Sequence, residues 1–86
     1  MASPAPFEPV LSGKALAFFS TLSKRRQRRL VDLLFRLADY PHQLGDYDSV
    51  DELGRRIQHL QAGELVITYW ADDSSHELRI TDIEEL

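Results

Sequence analysis

The stretch from Gly54 to Glu84 constrains the fold more than any other. It reads Gly-Arg-Arg-Ile-Gln-His-Leu, Gln-Ala-Gly-Glu, Leu-Val-Ile-Thr-Tyr-Trp, Ala-Asp-Asp-Ser-Ser-His and Glu-Leu-Arg-Ile-Thr-Asp-Ile-Glu. Three runs with β character are parted by two turn-prone breaks, in which Gly63 supplies positive φ and Asp72, Asp73, Ser74 and Ser75 bond back to the local backbone. The middle run is nearly all β-branched or aromatic, which suits a strand covered on both faces. In the third run, alternation puts Leu78, Ile80 and Asp82 on one side and Arg79, Thr81 and Ile83 on the other. The pattern predicts an antiparallel three-stranded meander. A bare meander is marginally stable, so the earlier half of the chain must cover one face.

That half reads as helices. Leu30, Leu33, Leu34 and Leu37 recur at i, i+3, i+4 and i+7 between Lys24 and Tyr40, with Val31 and Ala38 widening the apolar face. Arg25, Arg29, Asp32 and Arg36 form the opposite stripe, where Asp32 is spaced to pair with Arg28, Arg29 or Arg36. Pro41 stops this helix. Ahead of it, Ser12 is an N-cap for a shorter helix with Ala15, Phe18, Phe19 and Leu22 on one stripe, and Ser23 caps the second. The two predict an αα-hairpin whose apolar stripe covers the meander. Phe7-Glu8-Pro9-Val10-Leu11 reads as a short strand that Pro9 restricts to an edge or a strand end. Residues 1–6 read as a disordered lead-in, and His42 to Leu53, polar and acidic, reads as a loop.

The expected architecture is thus α+β in a single domain over residues 7–86: a short N-terminal strand and a helical hairpin packed on a curved antiparallel sheet that ends in the meander. No apolar run is long enough to span a membrane, and Met1–Pro6 lacks the basic-then-apolar pattern of a secretory signal. Cysteine is absent, which excludes disulfides and thiolate metal sites and fits a cytoplasmic location. The net charge of −4 hides a split. Residues 1–36 hold seven Lys or Arg against two acids, and residues 37–86 hold three Arg against twelve acids. A net acidic chain is a poor general binder of nucleic acid, yet this division leaves room for one basic face.

The basic face is Lys24, Arg25, Arg26, Arg28 and Arg29, which read either as a patch for RNA, DNA or an acidic partner or as the solvated start of a helix. Five cations there oppose the helix macrodipole. Arg55 and Arg56 are adjacent on a strand and must face opposite sides of the sheet, so one of them lines a concave surface and Arg79 can join it. An ion pair with Asp51, Glu52 or the acidic loop is the other reading of Arg55 and Arg56. His59 and His76 invite an acid–base reading because an imidazole titrates near neutrality, His59 as a half-buried group and His76 as an exposed turn residue. His42, His59 and His76 are too scattered to hold a metal. Tyr69 and Trp70 read as packing residues, although an aromatic beside a basic strand can stack a base.

The order of elements and several short motifs resemble the RelE/ParE superfamily of bacterial toxins from toxin–antitoxin pairs. The residues that carry the resemblance are Val10-Leu11-Ser12 leading to Ala15, Leu22-Ser23-Lys24-Arg25 and Leu37-Ala38-Asp39-Tyr40-Pro41, followed by Gly54-Arg55-Arg56-Ile57, Ala62-Gly63-Glu64, Tyr69 and Asp72-Asp73. The resemblance implies a curved sheet with the helix pair on one side, and a role in a type II toxin–antitoxin system of the kind tied to plasmid stabilization. The partners it implies are a cognate antitoxin, the ribosome with its messenger RNA or DNA gyrase as target, and a second copy in a homodimer. It implies no cofactor and no membrane. If the chain follows the branch that cuts messenger RNA on the ribosome, Arg55, Arg56 and Arg79 are the phosphate clamps and His59 is the candidate base. The sequence departs from the family pattern at Val66, where an Arg is common, and at its acidic end, Ile83-Glu84-Glu85-Leu86. Those departures keep open an alternative, a non-toxic interaction module that retains the fold.

Overall fold

A computed structural model describes residues 6–86; the expected lead-in, apart from Pro6, lies outside the described residues. Strand β1 (Glu8–Leu11) passes through Ser12 into helix α1 (Gly13–Ser20), and a short turn leads to helix α2 (Lys24–Asp39). Strands β2 (Tyr47–Val50), β3 (Arg56–Ala62), β4 (Leu65–Asp72) and β5 (Glu77–Glu85) complete one five-stranded sheet in the order β1-β5-β4-β3-β2. The meander is β3-β4-β5, antiparallel throughout, and β1 joins it parallel to β5. As the only neighbour of β1 among the described residues is β5, Pro9 lies on an edge strand, where its missing N–H costs no ladder bond.

The helices form where the sequence supplies caps. Ser12 Oγ accepts from the Ala15 amide at 3.1 Å and Ser23 Oγ from the Arg26 amide at 3.3 Å. Leu30, Leu34, Leu37 and Ala38 on α2 and Ala15 on α1 are buried against Ile67 and Tyr69 of β4 and Leu78, Ile80 and Ile83 of β5. Each fully buried leucine of this set contributes about 1.5–3 kcal/mol of burial energy. The helices therefore cover one face of the sheet, and the other is left free for Thr68, Trp70 and Arg79, which alternate with the buried residues.

Two expectations are corrected. The segment from His42 to Leu53 is not all loop: Tyr47–Val50 pairs antiparallel with β3, Tyr47 opposite His59 and Ser49 opposite Ile57. All four residues of β2 are exposed, so no apolar alternation marks it in the sequence, and its partner strand imposes the pairing. The simple alternation of the third run also fails. Thr68 lies opposite Asp82 and Tyr69 opposite Ile80, which leaves Thr81 as an extra residue, a β-bulge. The bulge shifts the phase of β5 by one residue. Leu78 and Ile80 enter the core before it, and Ile83, not Asp82, enters after it.

Ser12 holds that bulge. Its amide donates to the Ile80 carbonyl at 2.9 Å, and its hydroxyl donates to the Thr81 carbonyl at 2.9 Å while accepting from Ala15. Ser23 caps α2 and makes no comparable long-range bond among the described residues. Ser12→Ala should therefore lose about 1–3 kcal/mol, a cap plus an orphaned carbonyl, and Ser23→Ala only about 0.5–1 kcal/mol. Urea denaturation of the two variants checks the order.

Candidate functional site

The open face of the sheet gathers most of the candidate residues. Trp70, on β4, is the centre. The Arg55 guanidinium carbon lies 4.2 Å from its ring centroid and that of Arg79 lies 5.8 Å away. Two cations on one indole are attracted by the ring's negative face. Ile57, two residues from His59 on β3, lies on the same face and is buried. Arg55 and Arg79 thus meet across β4, as adjacency and strand parity predict for one of the paired arginines. Arg56 turns the other way and pairs with Asp48 at 2.6 Å.

Each of these arginines has a carboxylate. Arg55 Nε donates to Asp51 at 2.7 Å, and Arg79 donates to Asp72 at 3.1 Å and to Glu77 at 2.8 Å. Around Trp70 two cations therefore face three carboxylates. The Arg55 amide is the first cause that holds Asp51 below the ordinary carboxylate range, joined by the Arg55 guanidinium and the Leu53 amide. Asp72 is held at about 2, first by the Ser74 hydroxyl and then by Ser75 and Arg79. These carboxylates stay ionised at neutral pH and hold the guanidiniums in place.

His59 occupies the next row of the same face. Its Nε2 lies 2.8 Å from Ser49 Oγ and its Nδ1 lies 3.2 Å from Thr68 Oγ1. The Tyr47 ring stacks on the imidazole with centroids 4.6 Å apart and planes 6° from parallel. Gly45 makes this approach possible: a Cβ there would collide with the His59 backbone, and its amide donates to Gln58 Oε1 at 2.9 Å. Behind the face, the Tyr69 hydroxyl donates to the Gln43 carbonyl at 2.9 Å, and burial pushes its phenol pKa up, with Asp46 adding to the shift. The imidazole is thus fixed in orientation by two hydroxyls and a stacked phenol, an arrangement that can move a proton to or from a bound hydroxyl.

The basic run lies elsewhere. Lys24, Arg25, Arg28 and Arg29 are exposed on α2, and Arg26 pairs with Glu85 of β5 at 2.6 Å. Asp32 makes no ion pair with Arg28, Arg29 or Arg36 among the described residues, contrary to the helical-spacing expectation. His76 stacks on Phe7 at 5.1 Å, and His42 meets Asp73 at 2.8 Å. Neither is near His59 in the sheet.

No family model and no curated protein matches the sequence. Solved structures do match. A chain of the RelBE2 toxin–antitoxin complex from Mycobacterium tuberculosis superposes with a TM-score of 0.76, over 95% of this chain and 100% of that one, at 19% identity. The fold is RelE-like. A chain of the intact E. coli RelBE toxin–antitoxin complex agrees, with a TM-score of 0.62 over 95% of this chain and 98% of that one, at 14% identity. A RelE-like fold with a helix pair on one side of the sheet is what the order of motifs implied.

Some of the site was hidden in the sequence. The Arg55–Asp51 pair follows from spacing, and Arg79 was a candidate cation. Nothing in the sequence signals Tyr47 and Ser49 beside His59, because β2 has no strand pattern, nor the carboxylates of Asp72 and Glu77 on Arg79, which depend on the β4–β5 turn. Since the Asp72 pKa is lowered, its ionisation stabilises the fold fully above the ordinary value of 3.8, and that contribution is lost as pH falls toward about 2. Urea midpoints followed by Trp70 fluorescence should therefore converge for wild type and Asp72→Asn as the pH drops through this window, and separate above it.

Proposed function

We propose that this chain is the toxin-like component of a type II toxin–antitoxin pair and binds a cognate antitoxin. The observation that carries the reading is the agreement in fold along the whole length of a chain from a toxin–antitoxin complex, with nothing of that chain left over. A fold alone does not fix activity, so the reading also leans on the open sheet face. There Arg55, Arg79, Trp70 and His59 form one polar surface beside an otherwise apolar core.

Cleavage of messenger RNA on the ribosome is the enzymatic form of this proposal. In it Arg55 and Arg79 clamp the phosphate, and His59 takes the proton of the 2′-hydroxyl, seated in the place that Ser49 Oγ fills, as that oxygen attacks phosphorus. The P–O5′ bond breaks, the 5′ oxygen takes a proton from water and a 2′,3′-cyclic phosphate is left. Arg56 has no part, since it faces the other side. A phosphate reaching this site must displace or repel Asp51, Asp72 and Glu77. That cost ranks partner binding first and RNA cleavage second in our reading, with gyrase as the target if RNA is untouched.

Induced expression of the chain alone tests both levels. Growth arrest that a co-expressed cognate antitoxin relieves is the expected result; normal growth with soluble, folded protein overturns the toxin reading. If RNA is the target, Arg55→Ala/Arg79→Ala and His59→Ala each restore growth at equal protein level. They should lower the rate of messenger loss by about 10²-fold or more, as removal of charge stabilisation or of a general base does.

A further inference from the structure

The cations of this chain fall into two sets. Lys14, Arg26, Arg55, Arg56 and Arg79 each lie on a carboxylate. Lys24, Arg25, Arg28, Arg29 and Arg36 have none among the described residues, and all five are exposed on α2. No acid occupies the first turn of that helix, so Lys24 and Arg25 sit at the positive end of its macrodipole, with Arg28 and Arg29 in the turn that follows. In a chain with a net charge of −4, a concentrated unpaired positive stripe is not explained by solubility.

The stripe is also not purely polar. Lys24, Arg28, Val31 and Phe35 follow one another at helical spacing, and Phe35 is 56% exposed. Beside them a groove of about 440 Å³ runs along α2, lined by Lys24, Gln27, Arg28, Val31 and Asp32, with Phe19 of α1 at its edge. Gln27 closes its floor by donating from Nε2 to the Phe19 carbonyl at 3.1 Å. Phe19 and Val31 beside Lys24 and Arg28, with Asp32 the one acid of the lining, match a segment that alternates apolar and acidic residues.

We infer that the outer face of α2, with its groove against α1, is a docking site for an acidic amphipathic helix of a partner protein. Apolar side chains of that helix enter between Phe19 and Val31 and cover Phe35. Its Glu or Asp residues meet Lys24, Arg25, Arg28 and Arg29 and relieve the helix-end repulsion. A nucleic acid would satisfy the cations but leave the groove empty, and the acidic remainder of the chain would repel it. The inference deepens the antitoxin-binding reading by giving the partner its chemistry, and it concerns a surface remote from the Trp70 face.

The test uses the full chain and a synthetic helical peptide with Leu at i, i+3, i+4 and i+7 and Glu at its remaining positions. Polyglutamate and a single-stranded RNA oligomer are the controls. The peptide should bind more tightly than either control and should weaken steeply with added salt. Arg25→Glu/Arg28→Glu/Arg29→Glu should cost about tenfold or more in affinity, the loss of three screened ion pairs and their reversal. Phe35→Ala, an exposed change that leaves the charges intact, should cost about threefold or more through lost apolar contact. Equal binding of polyglutamate, tighter binding of RNA, or an affinity unmoved by the charge reversal each overturns the inference. Growth arrest is not read in this assay, so the docking site and the toxin reading can fail separately.

Discussion

The bond network of Ser12 is the constraint on which the fold depends. One residue receives a helix amide on its hydroxyl, donates that hydroxyl to the Thr81 carbonyl, and donates its own amide to the Ile80 carbonyl. It therefore joins the start of α1 to the irregular point of β5. Without the bulge, strict alternation would send Ile83 to the open face and Asp82 into an apolar core, where an uncompensated carboxylate is costly. With it, Ile83 is buried and Asp82 reaches Lys14 of α1 at 3.1 Å. The same few atoms thus fix strand phase, helix position and the placement of a charge.

What was legible in the sequence follows from how local the controlling physics is. The helices were legible because Leu30, Leu34 and Leu37 repeat with the helical period and Ser12 and Ser23 precede them at cap positions. The meander was legible because β-branched runs and turn residues are local signals. The phase shift of β5 was not, since a bulge is decided by partners in β4 and by Ser12, distant in the chain. Strand β2 was not legible either: Tyr47-Asp48-Ser49-Val50 has no buried side, and its pairing rests on backbone bonds to β3 that Gly45 allows.

The open face shows the same division. That Arg55 and Arg56 part to opposite sides is a rule of strands, and it held. That Trp70 lies between Arg55 and Arg79 depends on register across three strands. The environment of His59 needs β2, β3 and β4 at once. The acidic half of the sequence, visible in composition, proves to be arranged locally: Asp48, Asp51, Asp72, Glu77, Asp82 and Glu85 each meet one cation. Six of the fourteen acids are thus paired with a Lys or Arg within the molecule, and the cations left over lie together on α2.

The order of strands has a consequence for synthesis. β5 lies between β1 and β4, and it is the last of these elements to leave the ribosome. Until it emerges, β1 has no neighbour in the sheet, α1 lacks the Ile80 and Thr81 carbonyls that Ser12 binds, and the leucines of α2 face an incomplete layer. Such contacts between distant parts of a chain form late. The nascent protein therefore carries exposed apolar helices and no finished sheet face until β5 is inserted, and both faces of the sheet come into being together at that step.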